Sequence, residues 1–110
     1  MKERYKMPSR KQKIPSAVRA KVWDTYVGIS TGRDKCFCCD SEPITRTNFE
    51  CGHVQAEKEG GKITIQNLRP ICGNCNKSMG IVNMNDFMEK YGFKKRRDFD
   101  EKCRPRCVIV

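Results

Sequence analysis

The chain has 110 residues, 37% apolar and 33% charged, so it holds one small domain whose core alone would be marginal and for which a metal staple is expected. No stretch has the length and apolarity of a membrane span, and the charged opening MKERYKMPSRKQK lacks the apolar run of a secretory signal. The net charge of +10 sits at the ends: residues 1–13 carry six Lys/Arg against one Glu, residues 90–106 carry eight against three acids, and the stretch between is neutral. Basic ends on a neutral body can grip phosphate, with salt-dependent and largely sequence-independent affinity for nucleic acid; a pair of solvated tails is the plainer alternative.

In chain order, residues 1–13 read as a basic flexible arm, 14–92 as a zinc-stabilised domain and 93–110 as a basic C-terminal tail. Pro15-Ser16 marks a helix entry. From Ser16 to Val27 the residues Val18, Val22 and Tyr26 recur every four positions with Trp23 beside them, which predicts a helix with one face on the core. Gly28 stops it, and Trp23 and Tyr26 are expected to pack inside rather than stack on bases. Residues 29–35 read as a polar loop, followed by a first knuckle at Cys36–Cys39. Thr45 to Val54 predicts a strand pair or one long strand with a turn, and 55–63, with Gly60-Gly61, a loop. Ile65 to Ile71 leads into a second knuckle, and Pro70 precludes an ordinary helix through it. Asn83 is placed to cap a helix over Met84–Tyr91, in which Met84, Phe87, Met88 and Tyr91 share a face and Gly92 ends the run.

Eight cysteines without an export signal point to an intracellular, reducing compartment and to metal binding rather than disulfides. Zinc favours tetrahedral thiolate sites, and Cys36-x-x-Cys39 with Cys72-x-x-Cys75 supplies four sulfurs from two separate segments. Four protein ligands leave no open position, so this zinc would be structural. Cys38 reads as a bystander, and Cys51, Cys103 and Cys107 as reduced thiols.

The chemistry-bearing residues lie between and beside these pairs. His53 is the single histidine, and an imidazole ordinarily titrates near neutrality, so it is the best candidate for a base that deprotonates water. Asn76 directly follows the last cysteine, where the knuckle would hold its carboxamide oxygen toward a hard ion such as magnesium. Asn67, in Gln-Asn-Leu-Arg, would fix the shape of the preceding loop by hydrogen bonding.

At these residues the chain resembles the HNH, or ββα-metal (His-Me finger), endonuclease family. The shared pieces are Cys36-x-x-Cys39, Gly52-His53-Val54, Gly60-Gly61, Asn67-Leu68 and Cys72-x-x-Cys75-Asn76, and the zinc-containing branch is the most similar. The resemblance implies a small α+β protein: a ββα-metal fold stapled by a four-cysteine zinc site, with an N-terminal helix. It further implies a catalytic Mg2+ or Mn2+ ion, His53 as general base, Asn76 as a metal ligand and Asn67 as the residue orienting the hairpin loop. The substrate would be DNA, cut to a 5′-phosphate and a 3′-hydroxyl, in the setting of a viral or phage protein acting in a host cell. A homodimer would be one route to cutting both strands.

One position departs from the family. Many members carry an aspartate before the histidine that binds the catalytic ion, and here that residue is Gly52. Glu57 is favoured to supply the carboxylate, Glu50 is the other candidate, and the Cys51 thiol suits a hard ion poorly. Two other accounts stay open. Cys51 and His53 could be zinc ligands in a catalytically inactive, zinc-containing nucleic-acid-binding module, or the protein could be a zinc module for protein interaction, which would not need two basic ends.

Overall fold

The computed structural model describes residues 13–100; residues 1–12 of the basic arm and residues 101–110, with Cys103 and Cys107, lie outside them. Helix α1 covers Ser16–Tyr26 and has neither an acidic first turn nor a side-chain cap, so tertiary packing has to hold it. It does so through Val22, Trp23 and Tyr26, all buried. The Trp23 ring lies 5.0 Å from that of Phe49 and its Nε1–H donates to the Thr31 carbonyl at 2.7 Å, while the Tyr26 hydroxyl donates to the Ile65 carbonyl at 3.0 Å. The two aromatic residues are therefore core, with their polar tips satisfied.

Strand β1 (Arg33–Lys35) pairs antiparallel with β2 (Pro43–Thr45), setting Asp34 opposite Ile44. The polar loop expected through residue 35 thus ends in a strand. Three charged residues carry no strand signal of their own, and a non-local partner supplies the hydrogen bonds. Strand β3 (Glu50–His53) pairs antiparallel with β4 (Leu68–Ile71), His53 opposite Leu68 and Gly52 opposite Arg69. The stretch from Thr45 to Val54 is accordingly two short strands of different hairpins, separated by a turn at 46–48.

Helix α2 (Gly73–Met79) follows β4 directly and completes a ββα unit, and α3 (Met84–Tyr91) follows it. Among the described residues the protein is a small α+β fold of three helices and two antiparallel two-stranded sheets. Pro70 fits inside β4 for a geometric reason. Val54 N–H donates to Asn67 O at 2.8 Å, and counting in alternation from that pair puts Cys51 and Pro70 at a non-hydrogen-bonded position, where a missing N–H costs the ladder nothing. The Pro70 carbonyl instead accepts from Phe37 N–H at 3.0 Å and ties the first knuckle to the sheet.

Phe37, Ile44, Phe49, Leu68, Ile71 and Met84 form the centre of the core. Packing continues beyond Gly92. Phe99 is buried, and the buried Arg69 donates through Nε to the Phe99 carbonyl at 2.7 Å and through Nη1 to Gln66 and Leu68 carbonyls at 2.9 Å. The Arg69 guanidinium also lies 4.3 Å from the Tyr26 ring centre. Arg96 stacks on Phe37 at 3.9 Å and pairs with Asp34 and Asp98, so this member of the basic run is spent inside the fold rather than offered to phosphate. No described helix is long and apolar enough to cross a membrane.

Candidate metal centre and active site

The β1–β2 turn and the β4–α2 junction bring Cys36, Cys39, Cys72 and Cys75 together, their sulfurs all within 4.8 Å of one another. Tight turns aim backbone N–H groups at the sulfurs. Cys36 Sγ accepts from Cys38 N at 3.2 Å, Cys39 N at 3.4 Å and Cys72 N at 3.2 Å, and Cys72 Sγ accepts from Cys75 N at 3.4 Å. Cys72 is thereby both ligand candidate and N-cap of α2. Asp40 closes the first knuckle at a φ of 55°, a left-handed conformation aspartate tolerates better than most side chains.

Burial pushes the Cys36 thiol up to about 12, against the N–H groups of Cys39, Cys72 and Cys38 that favour its thiolate. Cys75 is raised further, by burial and then by the neighbouring Cys36 and Cys38 sulfurs. Burial also acts to raise Cys39, but the N–H groups of Glu42 and Ser41 bring it below the ordinary thiol value. Four clustered sulfurs with N–H donors already aimed at them are a site built for thiolates, and the donor set fits zinc. Cys38, buried and raised to about 11 by burial, lies beside the cluster without belonging to it. Cys51 and His53 are also outside it, so the cluster does not draw on a Cys-x-His ligand pair. Cys51 is instead a buried thiol pushed up to about 11 by burial, with the Arg19 charge opposing.

The loop from 54 to 67 is organised around Asn67. Its Nδ2 donates to the carbonyls of Gln55 at 3.1 Å and Lys62 at 3.0 Å, and its Oδ1 accepts from Gln55 N–H at 2.8 Å. The two glycines have separate reasons to be there. Gly60 has a φ of 95°, and a Cβ on Gly61 would overlap the Gln55 carbonyl oxygen. Glu57 opens a short 3-10 turn in this loop and is half-buried.

His53 ends β3 half-buried, its Nε2 shielded from solvent. Asn76 lies on α2 and lines a cleft of about 720 Å³ together with Glu50, Asn74 and Lys77. The cleft thus joins Asn76 to Glu50; His53, Asn67 and Glu57 are not among its lining residues. Along β3 the exposed Glu50 lines the cleft while Cys51 and Gly52 after it are buried.

The space in front of Gly52 is filled. A Cβ there would overlap Ile71 Cδ1 and stand 2.8 Å from Met84 Cε, so apolar side-chain ends occupy the position where a carboxylate would project. Gly52→Ala is expected to cost roughly 1–3 kcal/mol through overpacking, less if Ile71 and Met84 swing aside. Urea denaturation of the zinc-loaded protein measures it; a loss under about 0.5 kcal/mol would show that the pocket is soft.

Residues 36–80, which run from the first knuckle through β4 and α2, match the family model of the HNH endonuclease. The clustered cysteines fit its zinc-containing branch. No curated protein and no solved structure matches the chain.

Proposed function

We propose that the HNH domain formed by residues 36–80 makes this protein a metal-dependent DNA endonuclease, with His53 as general base. The observation that supports catalysis most directly is the cleft whose wall includes both Glu50 and Asn76. Both are hard oxygen donors of the kind magnesium or manganese takes. Glu50 and Asn76 would hold such an ion, which when bound supplies positive charge to the scissile phosphate and the leaving oxygen. In this reading the carboxylate missing at position 52 comes from Glu50 rather than from Glu57.

His53 removes a proton from water as the water oxygen forms its bond to phosphorus and the bond to the 3′ oxygen breaks; the 3′ oxygen takes a proton from solvent, leaving a 5′-phosphate and a 3′-hydroxyl. Asn67 keeps the backbone after His53 in one conformation, and Lys77, on the cleft wall, offers a positive charge to the phosphate chain.

Incubating the zinc-loaded protein with supercoiled plasmid and Mg2+ or Mn2+ tests the reading. Nicking or linearisation is expected, reduced by at least about 100-fold in Glu50→Gln and little changed in Glu57→Gln. The converse pattern would return the ligand to Glu57, and no cleavage with any divalent ion would sink the enzymatic claim. One observation favours a second reading, a zinc-containing nucleic-acid-binding module that does not cut: Ile71 and Met84 fill the space before Gly52. That module would bind plasmid without nicking it, and Glu50→Gln would leave binding unchanged.

A further inference from the structure

The backbone after His53 is hydrogen-bonded group by group. Val54 N–H donates to Asn67 O at 2.8 Å, and Val54 O accepts from Met84 N–H at 2.9 Å. Gln55 is held at both ends by the Asn67 carboxamide. Ala56 O accepts from Glu59 N–H at 2.8 Å and Gly61 N–H at 2.9 Å. That leaves Ala56 N–H, and it donates to Asn83 Oδ1 at 2.7 Å. Asn83 precedes α3 and its side chain makes no helix cap, although its position and type predict one. Its other end, Nδ2, is turned to Asp86 Oδ2 at 3.5 Å, which fixes the oxygen toward Ala56.

We infer that Asn83 is a positioning residue for His53, and that the start of α3 is a second clamp on the catalytic strand, opposite the Asn67 clamp. Three contacts from two adjacent residues support this: the Asn83 carboxamide on Ala56, the Met84 N–H on Val54 and the Met84 side chain against Gly52. They bracket His53 on both sides in sequence. A part-buried N–H with a short carboxamide bond loses its partner outright when that side chain is truncated, and the loop can then shift the imidazole by the fraction of an ångström to which proton transfer is sensitive. The inference rests on His53 being the base for its effect on cleavage, but the placement of the imidazole can be read without any cleavage.

Asn83→Ala, checked for full zinc content, is expected to lower kcat roughly tenfold with KM within about twofold. The paired exchange Asn83→Asp with Asp86→Asn keeps an acceptor facing Ala56 and reverses the bond between positions 83 and 86, the carboxamide at 86 now donating, and is expected to restore kcat to within about twofold. Because the chain has one histidine, its imidazole NMR signal is unambiguous. Its titration should move in Asn83→Ala and return in the paired exchange, and Ala56 amide exchange should accelerate about tenfold or more while Gln55, held by Asn67, does not. An unmoved imidazole titration, or equal acceleration at Ala56 and Gln55, would overturn the positioning role. A wild type that cuts no DNA while Asn83→Ala still displaces the imidazole refutes the nuclease reading alone and leaves the clamp standing.

Discussion

Cys75→Ser is expected to abolish zinc binding and, with it, cooperative folding. The wild type should hold one zinc at the four clustered cysteines, and the variant none, with loss of the near-ultraviolet signal from Trp23 and the thermal transition. The reason is a comparison of magnitudes. A structural zinc contributes about 10–16 kcal/mol of apparent binding free energy at neutral pH, whereas a whole domain is stable by only about 5–15 kcal/mol. Here the cluster joins the β1–β2 hairpin to the β4–α2 junction, and Cys72 and Cys75 are themselves part of the buried core. Chelation should act as the mutation does. Acid should too: zinc binds thiolates, burial holds Cys36 near 12 and Cys75 higher, so protons compete for the sulfurs and zinc retention falls as pH falls. Cys38→Ser is the control. It sits beside the cluster but outside it, so zinc content should be unchanged and only a modest packing cost should appear. Zinc retained in Cys75→Ser and lost in Cys38→Ser would reassign the fourth ligand.

What could be read from the sequence follows from how local each signal is. The two CxxC pairs, the period of Val18, Val22 and Tyr26, and the face of Met84, Phe87, Met88 and Tyr91 are short-range patterns, and the structure forms the cluster and both helices where they predict, with Tyr91 at the end of its face left exposed. Strand β1 was not legible, because Arg33, Asp34 and Lys35 owe their extended form to partners eight or more residues away. Nor was the fate of Arg69: nothing in Leu-Arg-Pro says that this guanidinium is buried against Tyr26 and the Phe99 carbonyl. Asn83 was legible as an N-cap type, yet its side chain serves a loop 27 residues earlier, which no local pattern encodes. At the candidate site the sequence named Glu50 and Glu57 as alternatives on proximity alone. Glu50 shares a cleft wall with Asn76 and Glu57 does not, a difference that depends on how α2 lies on β3. The filling of the space at Gly52 by Ile71 and Met84 is likewise a tertiary fact behind a residue that reads simply as a missing carboxylate.

His53→Ala is expected to lower plasmid cleavage by about 10²–10⁴-fold, the usual contribution of a general base, while zinc content and DNA affinity stay within about twofold of wild type. Zinc should be indifferent because His53 is not among the four clustered ligands. The fold should tolerate the change because His53 ends β3 half-buried and the backbone of the following loop is bonded to Asn67, Met84 and Asn83. DNA affinity should hold because neutral alanine replaces one imidazole in a chain with 23 Lys/Arg, and phosphate binding scales with the cations engaged. The pH profile adds an independent reading. If His53 takes the proton from water it must be neutral to do so, so wild-type cleavage should rise with pH through the imidazole's titration, and the residual activity of His53→Ala should lack that limb. A variant that loses zinc or its fold would make His53 a structural residue. A variant that cuts as fast as wild type would place the base elsewhere, and with no second histidine in the chain the search would turn to the carboxylate of Glu50 in the cleft.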